Sequence, residues 1–360
     1  MNRYGARELA SSFRTVRKNT IAIAEEIPAD QYGFKPTPDV MSVAEQLAHI
    51  AVSPSWQIFV HGDRVNHIDF ALFGMYAARR VAEEKTLTTK DDILRALRDR
   101  GEQFAMLVAV TRAVPPSIVD CELTHLARAP IDVRLARMQH DQYEQTLRAL
   151  GCRIERVAPA PEMPDSVFIE DTAVVFDEVA VIARPGAVSR RPEPQAVAEV
   201  LSRYRPLRPI EPPGTIDGGD VLVVGRRVFV GLSTRTNHEG LRQFTDAIAR
   251  FGYDVTGLPV DGCLHLKSAV TTVADDLLIL DPASIDPRSF GGFRWIETAP
   301  DERHAANVLR IGATVICPED APATRRRLED AGVTVRTVAA TELGKAEGGL
   351  TCCSLIFRVP

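Results

Sequence analysis

No apolar run in this 360-residue chain approaches the roughly 20 residues that a membrane-spanning helix needs. The opening stretch, MNRYGARELASSFRTVRKNT, also lacks the apolar core of a secretory signal. Excess charge of one sign is missing too. A formal net charge of −5 gives no electrostatic reason to expect nucleic acid or an anionic membrane as partner. Cysteine is sparse: Cys121, Cys152, Cys263, Cys317, Cys352 and Cys353 are scattered rather than framed for bridges. Together these absences lead to the expectation of a cytoplasmic protein with reduced thiols. What remains is an ordinary globular composition, 45% hydrophobic and 25% charged, in a chain longer than one core usually organises. Two domains are expected.

The two halves follow different patterns. Residues 1–108 read as helices only. SVAE at 42–45 is a capping box ahead of Leu47, Ile50 and Ala51, and Leu9, Phe13 and Val16 mark an earlier helix. TKDD at 89–92 opens another, whose apolar positions Ile93, Leu94, Leu97, Phe104, Leu107 and Val108 keep helical spacing. From about residue 109, Val- and Ile-rich strand candidates alternate with helices: AVVFDEVAVIA, DVLVVGRRVFVG, SAVTTVADDLLIL and ATVIC. A helix ending in glycine and then a strand is read at Gly151, Gly252, Gly312 and Gly332, and TNHE at 236–239 is a further capping box. Such repetition points to a pseudo-symmetric α/β assembly.

Four clusters in the second half carry chemistry. PDSVFIEDTAVV sets Asp165, Glu170 and Asp171 around an apolar core, either as a cation pocket or as a solvated turn. TIDGGDVLVVG places Asp217 and Asp220 about two glycines, where a carboxylate can orient a histidine or simply shape a hairpin. DGCLHLKSAVTTV holds His265 between leucines, a setting shared by catalysts and by satisfied core histidines. GGLTCCSLIF pairs two cysteines whose adjacency suits neither an ordinary disulfide nor a zinc site. Read as a strand, it turns Cys353 inward with Leu355 and Phe357, leaving Cys352 as the candidate nucleophile. A cysteine, a histidine and carboxylates far apart in sequence fit covalent thiol catalysis by a hydrolase or transferase.

Taken in order, PDSVFIEDTAVV, ARPGAVSRR, DGGDVLVVGRRVFVGLSTRTN, LHLKS and GLTCCS resemble the dimethylarginine dimethylaminohydrolase family of guanidine-modifying enzymes, over about Thr111 to Pro360. The resemblance implies a five-bladed α/β propeller spanning residues 109–360 with the site in its central channel. It implies Cys352 as nucleophile, His265 as general acid and base, and Asp217 as the carboxylate that orients His265. It further implies Asp171 with Glu170 on the guanidinium, Arg190 and Arg235 on the α-carboxylate, and Asp165 with backbone near Leu123 and Ala346 on the α-amino group. The substrate is then a free methylated arginine, hydrolysed to citrulline without metal or cofactor. Arginine deiminases of the same superfamily carry H-x-D where this chain has His265-Leu266-Lys267; loss of that carboxylate suits a guanidinium with methyl groups in place of N–H donors. An amidinotransferase, or a binding protein with a decayed site, are the other readings.

Residues 1–108 resemble the DinB-like helical bundles through SVAEQLAHIAVSPSW. That family joins a histidine at the position of His49 to two later ones around a metal; His61 and His67 are out of place for this. A truncated bundle serving a homo-oligomer or a protein partner is the expectation.

Overall fold

The structure, a computed structural model, describes residues 6–54, 70–102 and 106–359. The chain divides into two compact units, Met1–Met106 with Arg358–Pro360, and Leu107–Phe357.

The first unit holds helices α1 (Ala6–Glu26), α2 (Val43–Val52), α3 (Phe70–Glu84) and α4 (Lys90–Glu102). Both capping signals form. The Ser42 hydroxyl accepts from the Glu45 amide at 3.2 Å while the Glu45 carboxylate accepts from the Ser42 amide at 2.7 Å. The Thr89 hydroxyl accepts from the Asp92 amide at 3.1 Å. The apolar faces meet in a core of Ala24, Leu47, Ala51, Ile93, Leu94 and Leu97. His49 on α2 lies 3.0 Å from the Glu84 carboxylate on α3. His61, His67 and Phe104 lie outside the described residues. Leu107 and Val108, read from sequence as the end of a helix, belong instead to strand β1 (Met106–Thr111). Its parallel partner β2 (Cys152–Arg156), about 45 residues further along the chain, supplies the hydrogen bonds that make this apolar run a strand.

The second unit is one motif repeated. β3 (Ala173–Val175) and β4 (Ala180–Ile182) form an antiparallel hairpin, helix α6 (Pro194–Leu201) crosses over, and β5 (Leu207–Pro209) returns parallel to β4. Strands β6 (Val221–Val224), β7 (Arg227–Leu232) and β8 (Asp254–Pro259) repeat this around α7 (His238–Ile248). β9 (Val270–Ala274), β10 (Leu277–Leu280) and β11 (Arg294–Glu297) follow, then β12 (Leu309–Ile311), β13 (Thr314–Pro318) and β14 (Thr334–Val338). Helix α9 (Pro322–Asp330) crosses between β13 and β14. In a fifth sheet the last strand, β15 (Leu355–Val359), lies beside β1, and helix α5 (Val133–Ala149) joins β1 to β2.

Cores sit between successive sheets. Val181 packs with Val228 and Phe244, Leu222 and Phe229 with Leu278, Leu277 and Ile279 with Val315, and Ile316 with Ala109 and Cys152. The last contact joins the sheet of β12–β14 to that of β1, β2 and β15. Gly151, Gly252 and Gly332 follow helices with φ of 91°, 77° and 82°, as their sequence settings imply. Gly312 does not: its φ of 58° turns the β12–β13 hairpin. The helix at 238 is capped by the Asn237 side chain on the Gly240 amide, one residue later than the TNHE pattern indicates. Among the described residues no helix is long and apolar enough to cross a membrane.

Candidate active site

Three short 3₁₀ turns and one short helix, each at the start of a strand, bring the sequence clusters together. Ile169–Thr172 precedes β3 and carries Glu170 and Asp171; Gly218–Asp220 precedes β6 and follows Asp217. Helix α8 (Leu266–Ala269) precedes β9, with His265 as its N-cap residue. The turn Thr351–Cys353 precedes β15, so the two cysteines are not in a strand. The tight turn, rather than strand alternation, separates them: Cys352 reaches a cavity, whereas the Cys353 thiol points back at the Gly349 carbonyl, 3.7 Å away.

That cavity, about 20 Å³, is lined by Asp165, Asp171, Arg190, Arg235, His265, Ala346 and Cys352 among others. A larger one of about 630 Å³ shares Leu264, Glu347 and Gly348 with it. The remaining expected residues stand behind the lining. The Asp217 carboxylate lies 3.1 Å from His265 Nε2 and accepts from the Gly186 amide at 2.9 Å. Glu170 is taken up on both oxygens, by Lys267 Nζ at 2.5 Å and by the Thr351 hydroxyl at 2.7 Å. Leu123 is half-buried against the neighbouring core. The three carboxylates of PDSVFIEDTAVV are all buried, so the solvated-turn alternative does not hold.

Glycine is required at position 219. A Cβ there would come within 2.6 Å of His265 Nδ1 and 2.7 Å of Asp171 Oδ1. Its amide instead donates to Asp171 Oδ1 at 3.0 Å, and His265 Nδ1 stands 3.8 Å from the same oxygen. Arg190 donates to Asp171 at 2.7 Å and to Glu193 at 2.8 Å, and also reaches the Phe168 carbonyl at 3.0 Å. Arg235 is half-buried and donates to the Thr124 hydroxyl at 2.9 Å.

Burial alone would push the His265 pKa down, but Asp171, the Asp217 hydrogen bond and Asp220 lift it from 6.5 to about 9. The ring is therefore an imidazolium at neutral pH. Burial also works against the Asp171 charge, yet His265 and Arg190 hold its pKa down at about 2. The Cys352 thiol is pushed well above its usual value by burial and then by Glu170 and Asp171, while the Gly349 amide, 3.3 Å from its sulfur, works the other way. Cys353, equally buried, is pushed to about 12. Atoms of Asp171, Asp217 and His265 all lie within 4.8 Å of one another, a spacing that fits a cation. Arg190 and protonated His265 already supply positive charge there.

Several supporting residues carry no signal as separate motifs. Asp220 accepts from the Ser233 and Thr236 hydroxyls at 2.6 and 2.7 Å and from the Leu266 amide at 2.9 Å, fixing the backbone after His265. It is visible in sequence as the second carboxylate of DGGD. Glu193 shows itself only as an acid three residues after Arg190. Lys267 and Thr351 lie inside LHLKS and GLTCCS, but nothing there marks their bonds to Glu170. Asn307 and Glu347 have no pattern around them at all.

A family model for N,N dimethylarginine dimethylhydrolase, eukaryotic, matches residues 128–290, and one for the DinB superfamily matches residues 12–167. The N(G),N(G)-dimethylarginine dimethylaminohydrolase of Streptomyces coelicolor is 39% identical over 252 residues, covering 69% of this chain and 96% of its own. The chain belongs to the dimethylarginine dimethylaminohydrolase family. A second family member, from Pseudomonas aeruginosa, is 33% identical over 251 residues, 69% of this chain and 98% of its own. A crystal structure of the Pseudomonas aeruginosa dimethylarginine dimethylaminohydrolase, a cysteine-to-serine mutant complexed with citrulline, superposes with a TM-score of 0.68 at 32% identity. It covers 71% of this chain and 100% of the other. The DinB match runs past the helices into the first strands of the second unit, whereas family likeness to the hydrolases covers about two thirds of the chain.

Proposed function

We propose that the protein hydrolyses Nω,Nω-dimethyl-L-arginine, and its monomethyl counterpart, to L-citrulline and the corresponding amine through a covalent adduct on Cys352. The observation that carries this is the meeting of Cys352, protonated His265 and Asp171 on one cavity, with Asp217 behind the imidazole. The relatives named for this reaction, and the citrulline complex of one of them, support the choice of substrate.

The chemistry follows from the charges. A guanidinium is a poor electrophile because its charge is delocalised, so it needs a strong nucleophile and fixed orientation. The buried thiol is protonated at rest. A cationic substrate held by Asp171 lowers its pKa, and the thiol proton leaves to water. The thiolate bonds to the central carbon, giving a tetrahedral adduct. His265 protonates the methylated nitrogen from Nδ1, since its Nε2–H is committed to Asp217; the C–N bond breaks and dimethylamine departs, leaving an S-alkylthiouronium. Neutral His265 then takes a proton from water as its oxygen attacks. Collapse breaks the C–S bond, restores the thiolate, and the product loses one proton to become citrulline. Each turnover consumes one water.

In this proposal Arg235 and Arg190 grip the α-carboxylate, Arg190 by exchanging one of its present bonds to Asp171, Glu193 and the Phe168 carbonyl. Asp165 with the Leu123 and Ala346 backbone takes the α-amino group. Glu170 acts on the guanidinium through its place beside Asp171. The five sheets packed in succession support a five-bladed propeller for the catalytic region, residues 109–360, with residues 1–108 as a helical module for a homo-oligomer or protein partner. Six free cysteines support a reducing, cytoplasmic location.

The test is citrulline release from dimethylarginine and from arginine by wild type, Cys352→Ser and Cys353→Ser. Release from the methylated substrate that disappears only with Cys352→Ser is the expected result. Faster release from arginine would replace the proposal with a deiminase.

A further inference from the structure

The nucleophile's turn is held from below by a residue with no role so far. Asn307 is buried, 4% exposed, in the segment that leads into β12. Its Oδ1 accepts from the Thr351 amide at 2.9 Å, and its Nδ2 donates to the Thr351 hydroxyl at 3.0 Å and to the Lys267 carbonyl at 2.9 Å. This pattern fixes the amide's orientation, since a flip would set NH₂ against the Thr351 N–H. The Thr351 hydroxyl passes the chain on to Glu170 at 2.7 Å, and Lys267 Nζ returns to Glu170 at 2.5 Å. The ring so closed ties together the turn of Asp171, the helix that follows His265 and the turn of Cys352. Asn307 is itself anchored on both sides: the Thr271 hydroxyl donates to the Ala306 carbonyl at 2.6 Å and accepts from the Val308 amide at 3.2 Å.

Asn307 also lies flat against Gly349, where an added Cβ would come within 2.4 Å of its Cγ. The Gly349 amide is the group that donates to Cys352 Sγ. We propose that Asn307 is a positioning residue: by bracing residues 349–351 against the backbone of the His265 helix, it keeps the Gly349 N–H on the nucleophilic sulfur and sets the distance between nucleophile and acid–base. This rests on the reading of Cys352 as nucleophile. A hydrogen bond to a thiolate is charge-assisted and directional, so losing its alignment falls on the thiolate form more than on the thiol. Asn307 acts through Thr351 and Gly349 and does not touch substrate.

Asn307→Asp tests this with almost unchanged volume. The carboxylate still accepts from the Thr351 amide but faces the Lys267 carbonyl without a proton to offer. Thr351→Val removes only the hydroxyl links, and Thr351→Ser restores them. Two readouts are taken on folded full-length protein: kcat and KM for dimethylarginine, and the pH dependence of iodoacetamide alkylation at Cys352, located by peptide mass spectrometry. Asn307→Asp is expected to lower kcat by about tenfold with KM within about twofold, and to slow alkylation at pH 8 by a similar factor while moving its midpoint to higher pH. Thr351→Val is expected to lose about threefold in both, and Thr351→Ser to regain it. A new carboxylate also raises a nearby thiol's pKa by its charge alone, so the uncharged pair decides. Unchanged alkylation in Thr351→Val, or no recovery in Thr351→Ser, overturns the proposal, as does unchanged alkylation in Asn307→Asp. Wild type that alkylates at Cys352 yet releases no citrulline refutes the assigned reaction, and the alkylation comparison still decides the role of Asn307.

Discussion

The floor of the site and its rim are built in opposite ways. On the floor, Asp171, Asp217, Asp220, His265 and Thr351 are buried and bonded side chain to side chain. At the rim, residues 122–126 are exposed or half-buried, and the backbone amides of Thr124, His125 and Leu126 all donate to one carboxylate, that of Glu347, at 2.6–3.1 Å. Charge on the floor is fixed before any substrate arrives, which is what stabilising a developing charge demands. Amides that share one half-exposed carboxylate can be released and recaptured, which is what admitting a substrate to a 20 Å³ cavity demands. The floor should therefore govern kcat and its pH dependence, and the rim KM.

The largest effect should come from the floor. Asp217→Asn keeps the shape but removes the charge that holds His265 Nε2, and is expected to lower kcat by roughly 10³–10⁴ while KM moves little, by analogy with other oriented histidines. Citrulline release kinetics measure it. A loss below tenfold would transfer the orienting role to Asp171, 3.8 Å from the other ring nitrogen.

Next comes pH. His265 must carry a proton to expel the amine, so kcat, measured where bound substrate has already made the thiolate, should fall by about tenfold per unit above pH 9. Stability should follow the same group. Its folded pKa is raised from 6.5 to about 9, so its stabilisation is complete below about 6.5 and is lost as pH rises through 9. Asp171 is depressed from 3.8 to about 2, so its share is present above 3.8 and is lost as pH falls through 2. Melting temperatures from pH 6 to 10 check the alkaline side. Asp171→Asn should bring the activity limb to lower pH and flatten the melting curve, and an unmoved limb would assign the ionisation to another group.

The rim effect should be smaller and of another kind. Glu347→Gln keeps an acceptor but removes the charge from four short contacts, and is expected to raise KM about threefold with kcat within twofold. A fall in kcat with KM unchanged would show that rim and floor are one unit and end the distinction.

Sequence legibility follows the same division. The floor announced itself because its residues come in compact motifs, in which carboxylates flank glycines or an apolar core and a histidine sits among leucines. Burial then excludes the solvated turn for Asp165, Glu170 and Asp171. Asn307 and Glu347 stayed silent because each acts alone from a loop, on backbone groups far off in sequence. Local ambiguity explains the misread elements. Leu107 and Val108 fit helical spacing until a strand 45 residues away pairs with them, and Gly312 meets the same positive-φ need in a hairpin as it would at a helix end. The two cysteines sit in a 3₁₀ turn, not in the strand that TCCSLIF suggests, because the turn ends at Cys353 and β15 begins only at Leu355.

Glu347 allows a last, finer cut between charge and backbone. It is the one described non-glycine residue with positive φ, 58°, a conformation that holds a side chain at a strain of about 1 kcal/mol. Glu347→Gly and Glu347→Gln both abolish the carboxylate that gathers the three amides, but only glycine relieves the strain. If the carboxylate alone controls access, the two variants should share one KM, with the glycine variant melting about 2–4 °C above the glutamine variant. If backbone strain holds residues 346–349 in their place over the cavity, the glycine variant should lose more in KM than the glutamine variant despite its higher melting temperature, because the freed backbone no longer presents Ala346 and Gly348 to the site.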